Sequence, residues 1–206
     1  MAILKKYFFL LFAITCFAKV CKAQDSSKFY FTTSAGLLSP AGNFVKAYKT
    51  SLALNSGVEY KVSPVLFAQF VLDFNAVKYN QQYRDKNSPY LFQKTNSSIF
   101  LAGFNFGRNF FFSKMNTFFS SLYAGTGYVN IGEPRLTVNT ITNIIEQNVK
   151  RNGGIFAKAG LRMGYKTGSA FLQTIYIDGS YWVTNLTIQQ TKAQAISLYI
   201  GTRIGF

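Results

Sequence analysis

The 206-residue sequence contains no histidine, and its two cysteines, Cys16 and Cys21, both fall within the first 22 residues. Without imidazole there is no Ser-His or Cys-His nucleophile pair, and the commonest zinc ligand is missing. Downstream of residue 22 there is no thiol, which excludes disulfide staples and cysteine-ligated metals. Long apolar runs are lacking too: the longest, Tyr7 to Ala18, is shorter than the ~20 residues a membrane-spanning helix needs. Acidic residues are scarce, 7 against 22 lysines and arginines, for a formal charge of +15. No enzymatic activity, cofactor or metal site is expected from such a chain.

The one apolar run that exists sits at the N-terminus. It follows Lys5 and Lys6 and ends in the polar stretch Lys19-Val20-Cys21-Lys22-Ala23. A basic start, a short apolar segment and a small residue at the cut site are the parts of a secretory signal. Cleavage is expected after Ala23, so that residues 1–23 are the signal peptide and residues 24–206 one barrel domain. A lipoprotein signal fits poorly, because neither Ile14-Thr15 nor Lys19-Val20 supplies small residues ahead of a cysteine. Loss of the signal leaves 18 basic and 7 acidic residues, or +11. In an exported chain that excess points to anionic lipid head groups or surface polysaccharide, not to nucleic acid.

From Lys28 onward the chain breaks into stretches of period two. In residues 196–206 the even positions carry Ile196, Leu198, Ile200, Thr202, Ile204 and Phe206, and the odd ones Ser197, Tyr199, Gly201, Arg203 and Gly205. Residues 155–166 set Ile155, Ala157, Ala159, Leu161, Met163 and Tyr165 against Phe156, Lys158, Gly160, Arg162, Gly164 and Lys166. Residues 51–62 set Leu52, Leu54, Val58, Tyr60 and Val62 against Ala53, Asn55, Gly57, Glu59 and Lys61. A helical period would put Lys158 and Arg162 inside an apolar stripe, so these are strands. Noisier stretches at 28–38, 65–78, 97–110, 117–129 and 169–184 bring the count to eight, each long enough to cross a bilayer as part of a barrel.

The connections and the aromatics fit the same architecture. Short links are expected at Ser63-Pro64, Phe111–Asn116 and Thr167-Gly168, and long ones at Ser39–Lys49, Tyr79–Asn96, Asn130–Gly154 and Asn185–Lys192. Short turns on one rim and long loops on the other are a habit of outer-membrane barrels. An even strand number puts both termini on the short-turn, periplasmic side. Near that rim the outward positions carry Phe29, Tyr60, Phe110, Phe118, Tyr165, Phe171 and Phe206, with Leu66 on the remaining strand. Rings at a shared height make an interfacial girdle, and Tyr128 and Tyr181 suit the opposite one. The expected fold is all-β, an eight-stranded antiparallel up-and-down transmembrane β-barrel.

With that pattern in place, the chain resembles the small outer-membrane β-barrels of the OmpA/OmpX type. It resembles especially the outer-membrane β-barrel domain common in Bacteroidetes-like bacteria. The resemblance covers residues 24–206 and is carried by the terminal Tyr199-Ile-Gly-Thr-Arg-Ile-Gly-Phe206, by Gly36-Leu-Leu-Ser-Pro-Ala-Gly-Asn-Phe44 and by Gly57-Val-Glu-Tyr60. It implies that Tyr199, Ile204 and Phe206 belong to the signal read by the barrel-insertion machinery. It implies residence in the outer membrane of a Gram-negative bacterium. It does not specify a role, since one fold hosts many.

Any chemistry would reside on the inward face. Glu59, Lys61, Asp73, Lys158, Arg162, Asp178 and Arg203 are expected there as a lumenal polar network, accompanied by Gln69, Asn75, Asn105, Ser180 and Tyr199. Eight strands enclose a space that side chains fill, and charges held there must pair. Gly125-Thr-Gly127 lies within a strand and reads as small inward residues beside bulky neighbours, not as a phosphate loop. The segments 79–96 and 130–154 are the candidate contacts for an extracellular protein or carbohydrate, and Leu136–Ile145 suits an extension of the hairpin above the membrane.

Three functions remain open on this basis. The first is an integral barrel with a structural or surface-interaction role and a plugged lumen. The second is a small pore or a component of a transport or secretion assembly. The third is a soluble lipocalin-like binder of an apolar ligand, which would require the oily faces to point inward.

Overall fold

In a computed structural model the described residues are 28–79, 96–112, 117–139, 144–169, 171–188 and 191–205; of residues 136–138 only the backbone is described. The signal segment and Phe206 lie outside them. Among the described residues nine strands form in chain order: β1 Phe29–Pro40, β2 Tyr48–Lys49, β3 Ser51–Lys61, β4 Leu66–Tyr79, β5 Asn96–Phe111, β6 Phe118–Asn139, β7 Ile144–Lys166, β8 Leu172–Ile188 and β9 Thr191–Gly205. Strand β1 pairs with β3 and β9, and pairing of β4 with β5 closes an eight-membered antiparallel ring. The two-residue β2 stands outside the ring and pairs with the top of β4. Among the described residues no helix is long and apolar enough to cross a membrane, so any crossing is made by strands.

The two faces of the ring decide its solvent. Leu52 is 74 % exposed and Ile200 65 %, and the same side carries Leu54, Phe74, Phe104, Leu122, Leu161 and Leu198. The charged side chains alternate with these and turn inward: Glu59 is 1 % exposed and Arg162 3 %. A water-soluble domain buries the first set and exposes the second. A continuous apolar belt around a closed sheet is stable only against hydrocarbon, where every backbone group must also be paired within the ring. The oily faces therefore point opposite to what a lipocalin-like binder requires.

At the rim that holds both ends of the described barrel the links are short. The 62–65 turn is closed by Val62 and Ser63 N–H groups donating to the Leu66 carbonyl at 3.0 and 3.1 Å. At the 167–171 turn Gly168 takes a positive φ of 76°, and the Thr167 N–H donates to the Gln173 carbonyl at 3.0 Å. Exposed aromatics sit at this rim. Phe29 contacts its strand partner Tyr60 at 4.8 Å between ring centroids, and Phe118 contacts Tyr165 at 4.9 Å. Phe110 is exposed beside them, and Phe171 sits exposed at the bend just before β8 rather than within the strand.

Two of the four expected long loops are not loops. Strands β6 and β7 run for 22 and 23 residues and remain paired from Phe118↔Tyr165 to Asn139↔Ile144. Most of the 130–154 segment is thus a hairpin standing above the ring, and the hairpin extension expected over Leu136–Ile145 is part of it, from Leu136↔Gln147 to Asn139↔Ile144. Likewise β8 reaches Ile188 and β9 starts at Thr191, with Thr187↔Lys192 and Ile188↔Thr191 paired beyond a register shift after Val183, so strand continues into the expected Asn185–Lys192 link. The period-two oily signal stops where hydrocarbon stops, but hydrogen-bonded pairing continues beyond it. That is why an expected loop turned out to be strand. The first long link differs again: it turns inward, as described next.

Candidate functional site

The inward positions of all eight ring strands converge on one packed interior with two layers. The layer nearer the short-turn rim is ionic. Arg162 on β7 donates from Nη1 to Glu59 Oε2 on β3 at 2.9 Å, from Nε to Asp178 Oδ2 on β8 at 3.1 Å and from Nη2 to Gln69 Oε1 on β4 at 3.2 Å. Its guanidinium lies 4.5 Å from the Tyr176 ring centroid. Arg203 on β9 reaches Glu59 Oε1 at 2.7 Å, so one carboxylate serves two arginines. Higher up, Lys158 Nζ bonds Asp73 Oδ2 at 2.9 Å. Asp73 also accepts from Asn55 and from the Tyr199 hydroxyl, and Asp178 accepts from the Tyr123 hydroxyl at 2.6 Å.

Of the seven residues expected in a lumenal network, six meet in these ion pairs: three carboxylates against Lys158 and two arginines. Equal numbers of opposite charges are what a region cut off from water requires, because an unpaired buried ion is very costly. Lys61 takes no part in these pairs. It is half-buried at the short-turn mouth, where a cavity of about 190 Å³ is lined by Glu59, Lys61, Arg203, Lys166, Phe111 and Phe119. Lys166, on the inward parity, is exposed at that mouth with Nζ 4.8 Å from the Phe111 ring centroid. Gln69, Asn75, Asn105, Ser180 and Tyr199 are all buried as the period-two pattern implied.

The layer nearer the long-strand rim is apolar and lies beyond the polar network expected from the sequence. Leu38, Ile99, Leu101, Val129, Phe156 and Trp182 form a buried cluster across five strands. The first link seals it from above. Gly42 adopts a positive φ of 54° and starts the 3-10 helix Gly42–Lys46, which turns Phe44, Ala47 and Tyr48 into the barrel mouth, each fully buried. Phe44 packs on Tyr48 at 4.8 Å, and Tyr48 meets Tyr79 edge-on at 5.6 Å. The Tyr48 hydroxyl donates to the Gly132 carbonyl at 2.7 Å. Burial, with Glu133 nearby, pushes that hydroxyl far above the usual tyrosine range, so it remains a donor. Inward Ile99 and Leu101, and Leu38 near the end of β1, were the available signal for this layer. The ring alternation that marks Gly125 and Gly127 as small inward residues is present as well: a Cβ on Gly127 would lie 2.2 Å from the Ala102 carbonyl oxygen.

The expected assembly residues separate by face. Tyr199 points into the lumen toward Asp73, and Ile204 points outward, half-exposed. Among the described residues no group of three or more metal-ligating side chains comes together.

No family model matches this chain, and no curated protein sequence does. Among solved structures it is similar to Neisserial surface protein A, with a TM-score of 0.52 and 12 % identity, covering 87 % of this chain and 98 % of that one. The N-terminal β-barrel domain of Pseudomonas aeruginosa OprF aligns with a TM-score of 0.44 at 10 % identity, over 86 % of this chain and 98 % of that one. Ail of Yersinia pestis aligns with a TM-score of 0.44 at 13 % identity, over 85 % and 97 %. The ring closure, the inverted faces and the likeness to the Neisserial protein together give this chain the fold of a small eight-stranded transmembrane β-barrel.

Proposed function

We propose that the protein is an integral outer-membrane β-barrel of a Gram-negative bacterium with a structural or surface-interaction role and no enzymatic activity. Export by residues 1–23, cleavage after Ala23 and insertion by the barrel-assembly machinery, with Tyr199, Ile204 and Phe206 in its recognition signal, complete this reading. Placement with the barrel domain of Bacteroidetes-like bacteria rests on the sequence resemblance alone. The observation that carries the function is the filled interior: a charge-balanced ionic layer under an apolar layer, capped by Phe44 and Tyr48. An interior of this kind stiffens a wall and offers no continuous polar path. Activity then belongs to the β6–β7 hairpin within 130–154 as a contact for an extracellular protein or carbohydrate, together with the expected 79–96 contact, whose residues 80–95 lie outside the described residues.

Planar-bilayer recording tests the central point. Purified protein that inserts, as judged by heat-modifiable gel mobility, is expected to show no steady conductance steps. Regular steps would make it a small pore or transport component instead.

A further inference from the structure

We propose that the outer wall of the barrel, where β3 leaves β4, holds a phosphate-bearing acylated lipid of the outer leaflet. This rests on the orientation in the proposed function, with the β6–β7 hairpin outside the cell. Lys49 and Lys78 are direct cross-strand partners, and both are exposed on the outer face, while their neighbours Tyr48 and Tyr79 are buried inside. Like charges directly opposite each other on a sheet repel. Asn96 flanks Lys78 from β5, and among the described residues no carboxylate lines the spot. A phosphate bound between the two ammonium groups would offset that repulsion.

Directly below, the wall is indented. Between the pairs Lys49↔Lys78 and Ala53↔Asn75, residues 50–52 face only residues 76–77, so the strand bulges by one residue. Side-chain bonds hold the bulge open: Thr50 Oγ1 to Ser39 Oγ at 3.2 Å, Ser51 Oγ to the Lys49 carbonyl at 2.9 Å, and the Lys78 N–H to Ser51 Oγ at 3.3 Å. A groove of about 470 Å³ results, lined by Leu37, Leu52, Ala76, Thr50, Lys78 and Asn96. Heights decide what fits it. A tilted strand climbs about 2.6 Å per residue, which puts Leu52 about 21 Å above Tyr60 and Lys78 about 26 Å above Ala68, the strand partner of Tyr60. The apolar band of such barrels is about 25 Å tall, so the leucines face acyl chain and the lysines face head group. Oily floor below and paired cations above match one amphiphile with a phosphate at its head.

The test is native mass spectrometry of the refolded barrel in detergent, titrated with lipid A or with phosphatidylcholine. One lipid A retained per barrel is expected, with little phosphatidylcholine. The Lys49→Glu/Lys78→Glu double variant should lose at least tenfold in retained lipid A. Leu52→Trp, which fills the groove without touching the charges, should lose it as well, and Lys150→Glu on the hairpin should not. Unchanged retention in either groove variant, or equal retention of phosphatidylcholine, overturns the site. Should the charge-reversed variant fail to fold, Leu52→Trp decides. Failure of the unsubstituted chain to insert as a heat-modifiable barrel would instead overturn the proposed function.

Discussion

Arg162 and Glu59 stand 103 positions apart in the chain and meet at 2.9 Å inside the barrel, each almost wholly buried. Glu59 also holds Arg203, so a single carboxylate neutralises parts of two guanidinium groups on two different strands. Glu59→Gln would leave both arginines short of counter-charge in a region shielded from water. A loss of about 3–5 kcal/mol in folding stability is expected, as for a broken buried pair. Urea unfolding in lipid vesicles reads it. Adding Arg203→Met should recover part of that loss; a neutral Glu59→Gln would mean that water reaches the pair.

The belt of exposed apolar residues makes height matter for charge. Ile200 stands five positions above the end of β9, near mid-bilayer, whereas Val149 is exposed on the hairpin above the ring. Ile200→Arg should cost about 2–4 kcal/mol and Val149→Arg close to nothing, because only the first forces a cation into hydrocarbon. The comparison is made by refolding both variants into liposomes. Equal costs would show that lipid does not surround the ring at Ile200.

Close approach of strands explains one glycine in physical terms. Gly127 on β6 pairs with Gly103 on β5, and a Cβ on Gly127 would fall 2.2 Å from the Ala102 carbonyl oxygen and 2.4 Å from Gly103 Cα. Backbone atoms of a neighbouring strand cannot swing aside as a side chain can. Gly127→Ala should therefore destabilise by about 1–3 kcal/mol, the range for overpacking. A drop in the heat-modifiable fraction after refolding is the readout, and full refolding at unchanged stability would refute the close approach.

The cap over the lumen gives a local prediction. Phe44, within the 3-10 turn, is fully buried and packs on Tyr48, so Phe44→Ala removes a ring from the cap. About 3–5 kcal/mol is expected for a ring deleted from a packed core. Because the cap is at one end, protease cutting near residues 41–50 should rise before the barrel itself unfolds. Simultaneous loss of both would mean that cap and ring form one cooperative unit.

How much of this was legible in the chain depends on the distance over which each feature is decided. The faces of β3, β7 and β9 were readable residue by residue, and the buried positions of Glu59, Lys158, Arg162 and Arg203 followed from parity alone. The limits of β8 and β9 were not, because polar residues above the lipid pair as strands without any oily alternation to mark them. The place of Lys61 outside the ion pairs among the described residues has a similar origin. Parity assigned it to the inside, but its level on β3 put it at the wet mouth, where pairing is not enforced.

Sequence by itself determined which side of each strand meets hydrocarbon, since partition between lipid and lumen acts on every side chain separately and alternates with the pleat. Tertiary structure alone decided which charge meets which, that the upper lumen is oily and capped by Phe44 and Tyr48, and that Lys49 confronts Lys78. These depend on the stagger of eight strands when the sheet closes on itself. Closure is a property of the whole ring, so no single stretch of sequence carries it.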